Sequence, residues 1–126
     1  MRHVPTVIEP NVLKPAEIEA LVATLAAACA SDPIELLYLH GAHARGTLGT
    51  LSDLDLAVLD KPSTCSGERH GEHLAMFQTA SGREDLDLVI LNTAGPMIRD
   101  RAVHHGRLVY AHSELQRIQF KARTIM

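Results

Sequence analysis

Two aspartates, Asp53 and Asp55, stand at the head of an apolar run, Leu54 to Leu59, and no other feature of the 126-residue sequence restricts its folding so sharply. The run has strand character and is ended by Asp60-Lys61-Pro62-Ser63. Side chains in a strand alternate between faces, so both carboxylates leave one face while Leu54 and Leu56 leave the other. Like charges about 4 Å apart repel by roughly 4 kcal/mol at an effective dielectric of about 20. A hard divalent cation with oxygen ligands converts that repulsion into binding. The plainer alternative for an isolated Asp-x-Asp is an edge strand whose polar face is simply wet.

The rest of the chain supplies elements on either side of this strand. Ile18, Leu21, Val22, Leu25 and Cys29 recur at helical spacing from Pro15, which suits a first helical turn, with Glu17 and Glu19 favourable near the positive end. Ser31-Asp32-Pro33 breaks that helix, and Ile34 to His40 reads as a mostly apolar strand running into Gly41. Three glycines, Gly41, Gly46 and Gly49, follow. Ser66 to Ser81 is polar and histidine-rich, with Leu74, Met76 and Phe77 as apolar anchors of a helix. Asp85 to Leu91 alternates Asp85, Asp87 and Val89 with Leu86, Leu88 and Ile90, as a third strand does. Gly95-Pro96 starts a helix to His105, and Gly106 suits its C-terminal cap. Arg107 to Tyr110 gives a short strand, and Ser113 with Gln116 forms a capping-box pattern for a last helix. Helices and strands alternate, so the expected class is α/β, or α+β, with a small mixed sheet flanked by helices in one domain spanning 1–126.

Composition narrows the function classes. Twelve Lys+Arg against fifteen Asp+Glu leave a formal charge of -3, which gives no general electrostatic grip on nucleic acid or an anionic membrane. With two Phe, two Tyr and no Trp, aromatic stacking of single strands is also disfavoured. The longest apolar stretch, Ile18 to Ala30, is interrupted by Glu19 and Thr24 and is too short to span a membrane, and Met1 to Lys14 lacks a signal-peptide core. A cytoplasmic protein with reduced thiols at Cys29 and Cys65 is expected. His70 and His73 could share a helix face as metal ligands, but no further ligand at suitable spacing accompanies them, and a solvated surface is the expectation. Arg99, Arg101 and Arg107 read first as an exposed helix and strand edge, and second as a partner-binding patch.

Upstream of the acidic pair runs Leu39-His40-Gly41-Ala42-His43-Ala44-Arg45-Gly46, and the pair itself sits in Ser52-Asp53-Leu54-Asp55-Leu56. This arrangement resembles the signature of the DNA polymerase beta-like nucleotidyltransferases. It is closest to the minimal nucleotidyltransferases (MNT), whose motif commonly runs Gly-Ser-x-Ala-Arg-Gly and then Ser-Asp-x-Asp-Leu. Leu86-Asp87-Leu88-Val89 matches the family's later hydrophobic-Asp-hydrophobic-Val pattern, so Asp87, rather than Asp85, takes the place of the third carboxylate. The resemblance covers roughly Leu36 to Tyr110, including the tail from Pro96 to Tyr110.

The resemblance implies a nucleotidyltransferase fold in which Asp53, Asp55 and Asp87 hold two Mg²⁺ ions, or Mn²⁺, against the phosphates of ATP. Asp53 and Asp55 would bridge both metals, and Asp87 would bind the catalytic one and help deprotonate the acceptor. Gly41, Ala42, Arg45 and Ser52 are the implied nucleotide-binding residues. A tight glycine turn lets backbone N–H groups approach phosphate oxygens, and Arg45 adds charge there. Stand-alone minimal nucleotidyltransferases are similar to antitoxins of two-gene modules whose partner is an all-helical HEPN-type ribonuclease (HEPT). The implied activity is transfer of AMP from ATP to a tyrosine hydroxyl of that toxin, within a hetero-oligomeric complex. One position departs from the family: Ala42 stands where serine usually contacts the outgoing phosphates. This departure favours a second reading, an antitoxin of weak or no catalytic power that masks the ribonuclease by binding. A third, an antibiotic nucleotidyltransferase, would ordinarily carry an additional drug-binding helical domain. His43, beside the turn, is a polar side chain within sequence reach of a nucleotide or merely an exposed one.

Overall fold

The structure is a computed structural model and describes residues 14–40, 54–62 and 69–125. Helix α1 spans Pro15–Cys29, β1 Ile34–His40, β2 Leu54–Asp60, α2 Arg69–Ser81, β3 Leu86–Ile90, α3 Pro96–His105, β4 Arg107–Ala111 and α4 Glu114–Ile125. The strands form one sheet in the order β3-β2-β1-β4, with β2 and β3 parallel and the other two pairings antiparallel. The expected mixed sheet flanked by helices is therefore present. The parallel pair needs a crossover between its strands, and α2 provides it.

Two apolar clusters cover the two faces of the sheet. Leu37, Leu39, Leu54, Leu56, Val58 and Leu88 pack with Ile18, Leu25 and Cys29 of α1 and Phe77 of α2. Leu36, Tyr38, Ala57 and Leu59 pack on the other side with Leu91, Ala102 of α3 and Phe120 of α4. Both faces being covered explains why β1 and β2 read as nearly continuous apolar runs rather than as clean alternations. Within the first cluster, burial pushes the Cys29 thiol up to about 12 and makes it an inert core residue.

Local signals set several boundaries. The Lys14 amide donates to Glu17 Oε1 at the start of α1, and the Gln116 amide donates to Ser113 Oγ at the start of α4. Gly106 is the C-terminal cap of α3, as expected, and it is required there for its lack of a side chain. Its backbone is extended, with φ -92°, and a Cβ there would lie 2.3 Å from the Ala102 carbonyl oxygen and 3.1 Å from that of Leu39. Lack of bulk, rather than freedom in φ, lets α3 hand over to β4 beside the end of β1.

The far end of β2 departs from the sequence-based expectation. Asp60 belongs to the strand and is fully buried instead of opening a loop. Its amide donates to Asn92 Oδ1 (2.9 Å), and Asn92 Nδ2 donates to its carbonyl (3.0 Å). Its carboxylate lies 2.6 Å from His73 Nε2 and 3.4 Å from Arg69 Nη2, and that guanidinium also binds Asp32 at 2.8 Å. His73, expected at the surface, is buried, because one turn of α2 brings it beside Phe77 under the sheet. His70 stays exposed at its edge, with Nε2 3.0 Å from the Leu88 carbonyl oxygen.

Removing one partner of a buried hydrogen bond leaves the other short of a partner, at a cost of about 1–3 kcal/mol. His73→Leu should therefore lower the unfolding free energy by about 2 kcal/mol, since Arg69 still faces Asp60. Urea denaturation measures this, and a loss below about 1 kcal/mol would show that the Asp60–His73 contact is not a buried hydrogen bond.

Candidate functional site

At the opposite end of β2, the strand pairings bring polar residues into a row. Asp55 lies opposite Asp87 in the parallel β2–β3 ladder, and His40 lies opposite Asp55 in the antiparallel β1–β2 ladder. Directly paired residues share a face. Leu39, Leu54, Leu56 and Leu88 turn toward the α1–α2 cluster, which leaves His40, Asp55 and Asp87 on the α3–α4 side of the sheet. Asp87 is exposed, whereas Asp55 and His40 are half-buried.

The row has its own electrostatics. Burial holds the His40 imidazole below the usual histidine range, while Asp55, a backbone contact with Leu56 and Asp87 pull it back up and Arg101 of α3 pushes it further down. Among the described residues, His40 Nε2 is buried without a hydrogen-bond partner. Asp85, two residues before Asp87, is engaged by the Arg83 guanidinium through Nε (2.9 Å) and Nη2.

Asp53, Gly41, Ala42, Arg45 and Ser52 lie outside the described residues, as does His43. Of the three expected carboxylates, then, the structure brings Asp55 and Asp87 together, on adjacent strands and one face. No group of three or more His, Cys, Asp or Glu side chains poised to hold a metal occurs among the described residues. The pair that is described fits the expected ions in kind: two neighbouring carboxylates are hard oxygen donors, suited to Mg²⁺ or Mn²⁺ and not to a soft metal.

His40 flanks the glycine turn in sequence, as His43 does, but motif reasoning gave it no role. Its only signal in the sequence is its place at the end of a strand, one residue before the glycine turn, and its relation to Asp55 needs the β1–β2 register. The tail arginines are largely committed within the fold. Arg107 forms a two-pronged ion pair with Glu19, both contacts 2.7 Å. Arg99 donates to the carbonyls of Leu91 and Asn92 and lies over the Phe120 ring. Arg101 alone of the three keeps the exposed position expected for the group.

A four-stranded mixed sheet between two helix pairs, with an acidic row at one end of the parallel strands β2 and β3, is the architecture of a nucleotidyltransferase domain. The family model described as polymerase beta, nucleotidyltransferase, matches residues 24–115. The chain belongs to this family. No curated protein matches the sequence. Among solved structures, a chain of a toxin–antitoxin crystal structure with AMP-PNP superposes with a TM-score of 0.69 at 24% identity, covering 82% of this chain and 83% of that one. A chain of the toxin–antitoxin MntA–HepT gives 0.64 at 22% identity, covering 85% and 83%. A chain of the tri-AMPylated Shewanella oneidensis HEPN toxin in complex with MNT antitoxin gives 0.61 at 21% identity, covering 90% and 84%. At these identities the likeness is one of fold.

Like charges directly opposite each other destabilise a sheet by roughly 0.2–1 kcal/mol. Asp87→Asn should accordingly raise the unfolding free energy by about that amount in metal-free buffer at low ionic strength, and the gain should shrink in added NaCl. A destabilised Asp87→Asn protein in urea titrations would show that the row is not a site of net repulsion.

Proposed function

We propose that this chain is a minimal nucleotidyltransferase antitoxin that transfers AMP from ATP to a tyrosine hydroxyl of a HEPN-type ribonuclease toxin. The observation that carries the proposal is the pairing of Asp55 with Asp87 on one face of a family-typical sheet. The AMP-PNP and the AMPylated toxin named for two of the similar structures support the choice of nucleotide and acceptor.

In this reading Asp53, Asp55 and Asp87 hold two Mg²⁺ ions, for which Mn²⁺ can substitute. When bound, the ions neutralise phosphate charge and align the attacking and leaving oxygens. The protein's own groups bind and orient. Backbone N–H groups of the turn at Gly41 and Ala42 cradle the phosphates, with Arg45 adding positive charge and Ser52 also binding the nucleotide. The tyrosine oxygen attacks the α-phosphorus of ATP, its proton passes to Asp87, the bond from that phosphorus to the bridging oxygen breaks, and pyrophosphate leaves. The second reading, a binding-only antitoxin, is favoured by one feature, the missing hydroxyl at Ala42.

Two measurements test the proposal. Co-expressed with the product of the adjacent open reading frame, the chain should co-elute with it in size-exclusion chromatography and label it from α-³²P-ATP in a Mg²⁺-dependent way. Asp87→Asn should cut labelling by about a hundredfold or more while leaving the complex intact. Label that persists undiminished in Asp87→Asn sinks the site assignment, and a complex without any label supports neutralisation by binding. Ala42→Ser should raise the single-turnover rate by about tenfold to a hundredfold, the worth of one hydrogen bond to a charged oxygen. Equal, brisk rates would show that another group already fills the role of the serine.

A further inference from the structure

Four side-chain atoms among the described residues are buried without hydrogen-bond partners: Asp60 Oδ2, Arg69 Nε, His73 Nδ1 and His40 Nε2. The first three belong to the charge network at the far end of β2, where each residue has at least one other polar partner. His40 Nε2 differs. It lies at the acidic end, on the face that carries Asp55 and Asp87, in the position directly across the ladder from Asp55. A hydrogen-bonding atom buried without a partner pays its desolvation in full, and an apolar residue would fill the same half-buried place more cheaply. Such an atom beside a carboxylate is explained when a hydrogen bond forms in another state of the site.

We propose that His40 is the positioning residue of Asp55: once a divalent cation is bound, its Nε2–H donates to the Asp55 carboxylate and fixes the orientation in which that carboxylate meets the ion. This rests on the metal-dependent site of the preceding section and names a group outside its motif residues. The geometry favours this role over direct ligation. His40 and Asp87 flank Asp55 from opposite sides, on β1 and β3, so the imidazole sits beside one carboxylate and away from the gap between the two. A buried atom can reach its cross-strand neighbour without solvent access, as an oriented outer partner of a ligand does. Neighbours of this kind tune affinity for the ion while leaving the ligand set unchanged.

The experiment titrates Mn²⁺·ATP into the purified full chain by calorimetry, with metal-free ATP in EDTA as a parallel probe and thermal melting of the metal-free protein as the control for folding. Loss of an outer partner typically weakens metal binding ten- to a hundredfold. His40→Phe and His40→Leu should therefore bind Mn²⁺·ATP about ten- to a hundredfold more weakly. Their affinity for metal-free ATP should stay that of wild type, and their melting temperature should be no lower than wild type's. His40→Gln, whose amide nitrogen reaches near the place of Nε2, should recover most of the loss. Wild-type affinity in His40→Phe and His40→Leu, alongside lost binding in Asp55→Asn, overturns the positioning role and leaves the metal site standing. Unchanged binding in Asp55→Asn overturns the metal site, and the positioning role with it. Equal losses in the Phe, Leu and Gln variants, together with lowered melting temperatures, show that His40 only fills space and overturn the inference as well.

Discussion

The parallel register of β2 on β3 holds two carboxylates, Asp55 and Asp87, opposite each other on one face of the sheet. Sheets ordinarily avoid like charges in that position, because the repulsion works against the pairing. Here the other face decides. Leu54, Leu56 and Leu88 pack under α1 and α2, and each buried leucine is worth about 1.5–3 kcal/mol against exposure. The repulsion between carboxylates that solvent reaches is closer to 1 kcal/mol. A slip of one residue would carry Asp55 into the apolar cluster and its leucine neighbours out of it. Packing therefore fixes the acidic row, at a local cost that the core covers.

Much of this was legible from the sequence, for physical reasons that can be named. Ile34 to His40 is mostly apolar because both of its faces are covered, and its limits coincide with those of β1. The alternation in Leu86 to Ile90 placed Asp87 correctly on the face away from Leu88, and Pro15 and Ser113 marked the starts of α1 and α4. What was missed depends on partners distant in sequence. Asp60 looks like a turn residue until Asn92, 32 positions away, satisfies its backbone. His73 looks like a surface residue until Asp60, 13 positions away, takes its ring nitrogen. Only two of the three expected carboxylates, and neither the glycine turn nor Ser52, fall among the described residues. His40 entered the candidate site solely through a register that no local pattern encodes.

The arginines illustrate the same limit from the other side. From the sequence, Arg99, Arg101 and Arg107 were expected first to line an exposed helix and strand edge, and second to form a partner-binding patch. Arg107 instead joins the edge strand β4 to α1 through Glu19, which holds the glutamate below its ordinary pKa chiefly through that hydrogen bond. Arg99 joins the loop after β3 to α3 and lies over a ring of α4. Much of the apparent surface charge is thus spent on fastening helices to the sheet. An exposed pair such as Arg107–Glu19 contributes little to stability, and its value lies in fixing orientation.

The two ends of β2 carry opposite solutions to the same problem, an aspartate on a central strand. At the far end Asp60 is buried and satisfied: Asn92 closes two hydrogen bonds on its backbone, and His73 and Arg69 face its carboxylate. At the near end Asp55 and Asp87 face each other with a histidine alongside. Apolar packing along Leu54 to Leu59 tolerates small translations, because hydrophobic contact is not directional. Hydrogen bonds to Asn92 and His73 are directional and forbid them. The far-end network anchors β2 to α2 and to the segment after β3, while at the near end the ladder and the leucines beneath it already fix Asp55 opposite Asp87.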